Sequence, residues 1–216
     1  PIKIGLLLIT SDRGMAGSYN TNVIRKGLAI LKQYDKANVK LITAGKRGRA
    51  VFARLGYEIV ADFPMPSSDV TFAEARLIGG AIREMFARGE VDVVHIVFTR
   101  FYTAIRQVVT DSQVLPVSPE SLGAGRSEQQ EEEFEFEPRP EVLLGRLLPR
   151  YVDTQVYRAM LESLASEHGA RMTAMTSATD NAGEMIDRLI LDFNRARQAA
   201  ITKELAEIVG GANALQ

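Results

Sequence analysis

The stretch "ITSDRGMAGSYN", residues 9–20, joins an apolar run to a helix-like segment through a loop with two glycines. The run Ile4–Ile9 reads as a buried strand, and Ser18–Tyr34 reads as a helix with Val23, Ile24, Leu28 and Leu31 on one face. Strand, glycine loop, helix is a common way to build a nucleotide site, so the question is whether this loop holds a phosphate. The spacing argues against it. Asp12, Arg13, Gly14 and Gly17 form D-R-G-x-x-G, not the G-x-G-x-x-G of dinucleotide sites nor the G-x-x-x-x-G-K-[ST] of phosphate loops.

Outward from this loop, strands and helices alternate. Val39–Thr43 and Tyr57–Ala61 read as strands, and Lys46–Leu55 as a helix stopped by Gly56. Phe72–Ala87 reads as a helix capped by Thr71 and ended by Gly89. Val91–Thr99 is a long apolar strand, and Gln107–Leu115 its hairpin partner. This order predicts an α/β, Rossmann-like globular domain over residues 1–117 with a largely parallel sheet. The segment 118–140 breaks the pattern. Between Arg126 and Glu141 it holds seven glutamates against two arginines, with Phe134 and Phe136 interleaved. It reads either as a solvated loop or as a short docking strand, "FEFEP".

Residues 141–216 carry almost no punctuation. Pro149 is expected to kink or restart the helix; beyond it, Tyr151–Val209 has no proline. Some 60 helical residues would span roughly 90 Å, against a radius of gyration near 14 Å for a domain of ~120 residues. Much of the helix is therefore expected to protrude or to meet another chain. Ala178, Ala182, Met185, Leu189, Phe193, Ala196 and Ala200 follow steps of 4, 3, 4, 4, 3 and 4, a coiled-coil seam. No second stretch in the chain is long enough to pair with it.

Composition narrows the chemistry. Lys plus Arg is 26 and Asp plus Glu is 27 in 216 residues, so no overall field draws the chain to nucleic acid. There is no cysteine, which removes disulfides and thiolate sites, and two histidines make an all-histidine metal site improbable. No apolar run approaches the ~20 residues of a membrane span. "GKRGRA" at 45–50 places three cations at a helix start, where an anion or plain solvent is expected. His95, within an apolar strand, reads as a hydrogen-bonded core residue, and His168 as exposed. Ser11 and Asp12 have no histidine near them in sequence to complete a triad. No catalytic constellation, cofactor site or metal site is found. The bare reading leaves open a free-standing nucleotide- or flavin-binding α/β protein with a helical tail.

Two long strings point to a different reading. "ITSDRGMAGSYNTNVIR" at 9–25 and the run from Leu147 to Leu215, which contains "MTSATDNA" and "RQAAIT", resemble the gamma subunit of F-type ATP synthase. The resemblance covers essentially the whole chain. It implies a non-catalytic central rotor shaft, with alpha and beta subunits around it and the epsilon subunit and c-ring at its foot. It implies no nucleotide at residues 9–20, the loop being structural, with Gly14 and Gly17 permitting the turn and Asn20 or Asn22 bonding backbone locally. Arg197, Gln198, Thr202 and Glu204 resemble the residues that meet beta-subunit loops. Ile208, Val209 and Leu215 resemble a bearing tip. Phe134, Phe136 and Glu137 resemble the segment facing the c-ring and epsilon. The family's N-terminal helix, expected ahead of Pro1 as the partner of the seam, is absent from these residues. The resemblance further implies a peripheral position on the cytoplasmic face of a bacterial plasma membrane.

Overall fold

The computed structural model describes residues 2–117 and 139–213. Five strands form one sheet: β1 (Ile4–Ile9), β2 (Val39–Ala44), β3 (Glu58–Phe63), β4 (Val93–Phe101) and β5 (Gln107–Leu115), in the order β3-β2-β1-β4-β5. The first four pair in parallel, and β5 returns antiparallel to β4 across a tight turn. Four α-helices accompany them: α1 (Tyr19–Leu31), α2 (Lys46–Arg54), α3 (Phe72–Ala87) and α4 (Pro140–Asn213). The Rossmann-like α/β fold with a long C-terminal helix is thus the observed one.

β1 is buried along its whole length because both faces of the sheet are covered. Its alternate residues feed two cores. Ile4, Leu6 and Leu8 join Val23 and Leu31 of α1 and Phe52 of α2. Leu7 and Ile9 join Ile78 and Ile82 of α3 and Val152, Val156, Met160 and Leu164 of α4. Full burial of each such side chain contributes roughly 1.5–3 kcal/mol, so α4's early turns are part of the sheet's core.

Local chemistry sets the element ends. Thr71 and Glu74 form a capping box at the start of α3. α2 closes with Gly56 N–H on the Ala53 carbonyl and Tyr57 N–H on the Phe52 carbonyl, while the Phe52 and Tyr57 rings meet edge to face at 5.5 Å. α1 stops at Leu31, short of the expected Tyr34, because Gln33 and Tyr34 bond three residues back in a tightened last turn. β4 starts two residues later than expected, at Val93, because Asp92 turns to bond Lys3 through both backbone and carboxylate.

Of the two outcomes expected at Pro149, a kink or a restart, the restart does not occur. α4 runs through it. The carbonyl that a proline deprives of its donor lies four residues back, here on Gly145, a residue open to solvent. One turn later Val152 and Asp153 are buried against the sheet domain, which holds the helix in place.

By contacts the chain divides into two compact units, Pro1–Thr173 and Ala174–Gln216. The second unit, as described, is helix alone. Apart from partly covered Ala174 and Asn194, its described side chains are exposed.

His95 departs from the expected hydrogen-bonded core residue. It is half-buried and its Nδ1 makes no hydrogen bond. Burial pushes its pKa below the ordinary imidazole value, with Asp111 opposing. Asp111 itself is held by Lys26 of α1 at 2.6 Å. With the folded pKa below the unfolded one, the unfolded chain binds the extra proton, so stability is complete above about pH 6.5 and falls as pH drops below it. Denaturant midpoints measured between about pH 5 and about pH 8 should show this slope, and it should flatten in His95→Gln.

Candidate functional site

In a doubly wound sheet the ligand crevice lies at the carboxyl ends of the strands where the order reverses, here between β1 and β4. Three features of this structure fill the carboxyl ends of β1 and its two neighbours, β2 and β4, with the chain's own groups.

The first is the start of α2. Lys46 N–H donates to Asp12 Oδ1 at 2.9 Å, Arg47 N–H to the Ser11 carbonyl at 3.2 Å, and Gly48 N–H to Thr10 Oγ1 at 2.9 Å. The amides that would cradle an anion are satisfied by residues 10–12. At the "GKRGRA" terminus the Asp12 carboxylate caps the backbone, while the Lys46, Arg47 and Arg49 side chains stay exposed to solvent, as the plainer of the two expectations has it. Gly45 allows this closeness. Its φ is +102°, and a Cβ there would stand 2.1 Å from the Thr10 carbonyl oxygen.

The second is the loop itself. Asn20 Oδ1 accepts from Ser11 N–H at 2.9 Å, and Asn20 Nδ2 donates to Ser11 Oγ at 2.8 Å and to the Arg13 carbonyl at 3.4 Å. The Asn22 side chain donates to the Ser18 hydroxyl, at 3.1 Å. Of the two glycines, Gly17 takes positive φ (+54°), but Gly14 does not. The second left-handed residue is the exposed Met15, at +60°, at a cost of roughly 1–2 kcal/mol.

The third is α4. Ser166 Oγ donates to the Thr99 carbonyl at the end of β4 at 3.2 Å, and Arg171 donates to the Gly14 carbonyl at 3.4 Å. Glu167, only 3% exposed, pairs with Arg171. Tyr19 is buried beside Ser163 and Glu167, and neither hydroxyl makes a hydrogen bond of ordinary geometry. Burial pushes the Tyr19 phenol well above its ordinary pKa, the Ser163 hydroxyl opposing and the Glu167 carboxylate adding. Sequence reasoning missed Asp12, Asp153 and Glu167. The signal was there: Asp153, Val156, Met160, Ser163 and Glu167 step by 3, 4, 3 and 4 along one buried face.

The remaining candidates lie in the second unit. Arg197, Gln198, Thr202, Glu204, Ile208 and Val209 are all exposed on α4. At about 100° per residue they share an arc of about 160°. The seam residues Ala178 to Ala200 occupy a separate arc of about 80°. The centres of the two arcs are about 140° apart, so one helix offers two faces. Met185, Leu189 and Phe193 of the seam are at least 60% exposed. Phe134, Phe136, Glu137 and Leu215 lie outside the described residues.

Among the described residues no group of three or more His, Asp or Glu is placed to hold a metal, and no helix is long and apolar enough to cross a membrane. The model of a family described as ATP synthase matches residues 2–215. The ATP synthase gamma chain of Heliobacterium modesticaldum is 48% identical over 99% of this chain and 74% of its own length. That of Symbiobacterium thermophilum is 47% identical over 99% and 73%.

The chain belongs to the ATP synthase gamma-chain family.

Solved structures agree with that membership. The central stalk and c-ring structure of the Tetrahymena thermophila mitochondrial ATP synthase matches with a TM-score of 0.65 at 25% identity, over 83% of this chain and 77% of that one. A chain of the Euglena gracilis mitochondrial ATP synthase matches in fold with a TM-score of 0.72 at 20% identity, over 99% and 73%.

Since the chain fills its own crevice, ATP, NAD and FMN should show no binding in calorimetric titration of this chain. Asp12→Ala uncaps α2 and should cost about 1 kcal/mol in chemical denaturation. A neutral effect would mean that solvent, not Asp12, satisfies the terminus.

Proposed function

We infer that the chain is the central-stalk, rotor subunit of a proton-translocating F-type ATP synthase. It couples turning of the c-ring to conformational change in the beta subunits and catalyses nothing itself. The observation that carries this reading is the second unit: an exposed helix with an apolar seam on one side and a mixed polar face on another. The seam suits a partner helix, and small residues such as Ala178, Ala182, Ala196 and Ala200 permit close approach. The family's N-terminal helix is the partner with the matching chemistry.

The other face suits contact with a surrounding ring. Arg197 offers a planar fork for a carboxylate, Gln198 and Thr202 add directional bonds, and Glu204 accepts from a cation. Ile208, Val209 and Leu215 then form the apolar tip turning within an alpha/beta sleeve. Rotation changes which beta subunit meets this asymmetric face, and so biases each among its conformations.

At the foot, Phe134, Phe136 and Glu137 face the c-ring and epsilon. The acidic run around them complements basic groups on those partners. The subunit sits peripherally on the cytoplasmic face of a bacterial plasma membrane, held by its partners.

Arg197→Ala with Gln198→Ala should weaken ring association and slow ATP hydrolysis in the assembled complex, since hydrogen bonds to charged groups contribute about 1.5–3 kcal/mol. Unchanged affinity and rate would remove these two side chains from the contact. Single cysteines at Phe134, Phe136 or Glu137, in a chain that has none, should cross-link to c or epsilon subunits. Cross-links to alpha or beta alone would invert the assignment of the foot.

A further inference from the structure

α4 is held to the sheet domain by a stripe that is apolar in its middle and charged at both ends. Val156, Ala159 and Met160 supply the middle. At the first end Asp153, 6% exposed, pairs with Arg83 of α3, whose guanidinium also donates to the Pro149 carbonyl at 3.1 Å. Gly79 makes room, since a Cβ there would meet Asp153 Oδ1 at 2.1 Å. At the second end Glu167 pairs with Arg171 one turn along α4 and so orients it, Arg171 reaches the Gly14 carbonyl at 3.4 Å, and Ser166 bonds the Thr99 carbonyl at the end of β4 at 3.2 Å. Gly169 lets the helix come close to the β4–β5 turn, where its Cβ would lie 3.2 Å from the Ala104 carbonyl oxygen.

The two ends differ in kind from the middle. Apolar contact is non-directional. A helix seated on Val156, Ala159 and Met160 alone would resist separation from the sheet far better than rotation about its own axis. Hydrogen bonds and ion pairs at low dielectric are directional and strong. The charged ends stand about 21 Å apart along the helix and engage different elements, α3 at one and the loop after β1 at the other. Burying two carboxylates against two half-buried arginines is not a route to stability by itself, because desolvation offsets most of the attraction. What such pairs supply best is register.

We propose that these two charged ends are pins that carry torque between the sheet domain and α4, and that the crevice which binds nucleotides in similar folds serves here as the socket of the second pin. The inference rests on the central-stalk reading. Arg83, Asp153, Glu167 and Arg171 are positioning residues: they touch no substrate and act by keeping the helix from turning in its seat.

Single-molecule rotation of the assembled complex tests it, with unloaded speed and stall torque read separately. Asp153→Asn with Glu167→Gln removes both buried carboxylate charges at nearly constant shape. The variant should turn at the unsubstituted speed without load and lose stall torque. Adding Ala104→Cys and Gly169→Cys, the only cysteines in the chain, should restore stall torque on oxidation and lose it again on reduction. Arg83→Lys, a milder change that keeps a cation but loses the fork, should lose part of the stall torque and covers the case in which the double variant does not fold. Stall torque equal to the unsubstituted complex in both the double variant and Arg83→Lys would overturn the proposal, as would equal loss of loaded and unloaded rotation. Failure of the unsubstituted chain to rotate in the complex would instead overturn the central-stalk reading, and the pins with it.

Discussion

From Ala174 onward α4 carries Met185, Leu189 and Phe193 on one narrow face, and no described residue of the chain covers them. Each large apolar side chain left in water forgoes roughly 1.5–3 kcal/mol. Isolated helices are marginal without tertiary packing. A sequence that keeps such a seam over several turns is built for a partner, and the remaining features follow from that. The first unit has to hold the root of the helix firmly, and the second has to leave its surface free for other chains.

The first unit meets that demand with a fold that elsewhere binds ligands. Its crevice at the strand ends is closed twice over. Asp12, Ser11 and Thr10 satisfy the amides of α2, and Ser163, Ser166 and Glu167 of α4 occupy the ground beside Tyr19 and Thr99. The glycine loop itself is shaped by its backbone turn and not by a phosphate: Gly17 takes a left-handed φ with nothing within 4 Å of where a Cβ would stand.

Much of this was legible from residue pattern. The alternation of apolar runs with capped helices produced the α/β sheet, down to the hairpin at its edge, because burial on both faces leaves β1 and β4 as continuous apolar runs. The exposed seam was legible because its 3.5-residue period outlasts anything a core helix of this size requires. Less legible were the contacts that depend on three dimensions. Asp153 and Glu167 look like solvated helix charges until Arg83, far away in sequence, and Gly14 are brought beside their turns. Asp12 looked like loop chemistry, yet its work is done on α2, 34 residues away. Pro149 looked like a kink or a restart, yet α4 runs through it, and the carbonyl it deprives of a donor belongs to exposed Gly145. Met15 carries the left-handed turn expected of Gly14, and no residue pattern distinguishes the two.

The seam's need for a partner is tested most directly by amide hydrogen exchange. The account predicts that the free chain exchanges quickly across residues 172–209 and slowly in β1 and β4. Adding a peptide of the family's N-terminal helix, or the alpha/beta ring, should slow exchange in 172–209 selectively. Protection of 172–209 as strong as that of the sheet, in a chain shown to be monomeric, would contradict it.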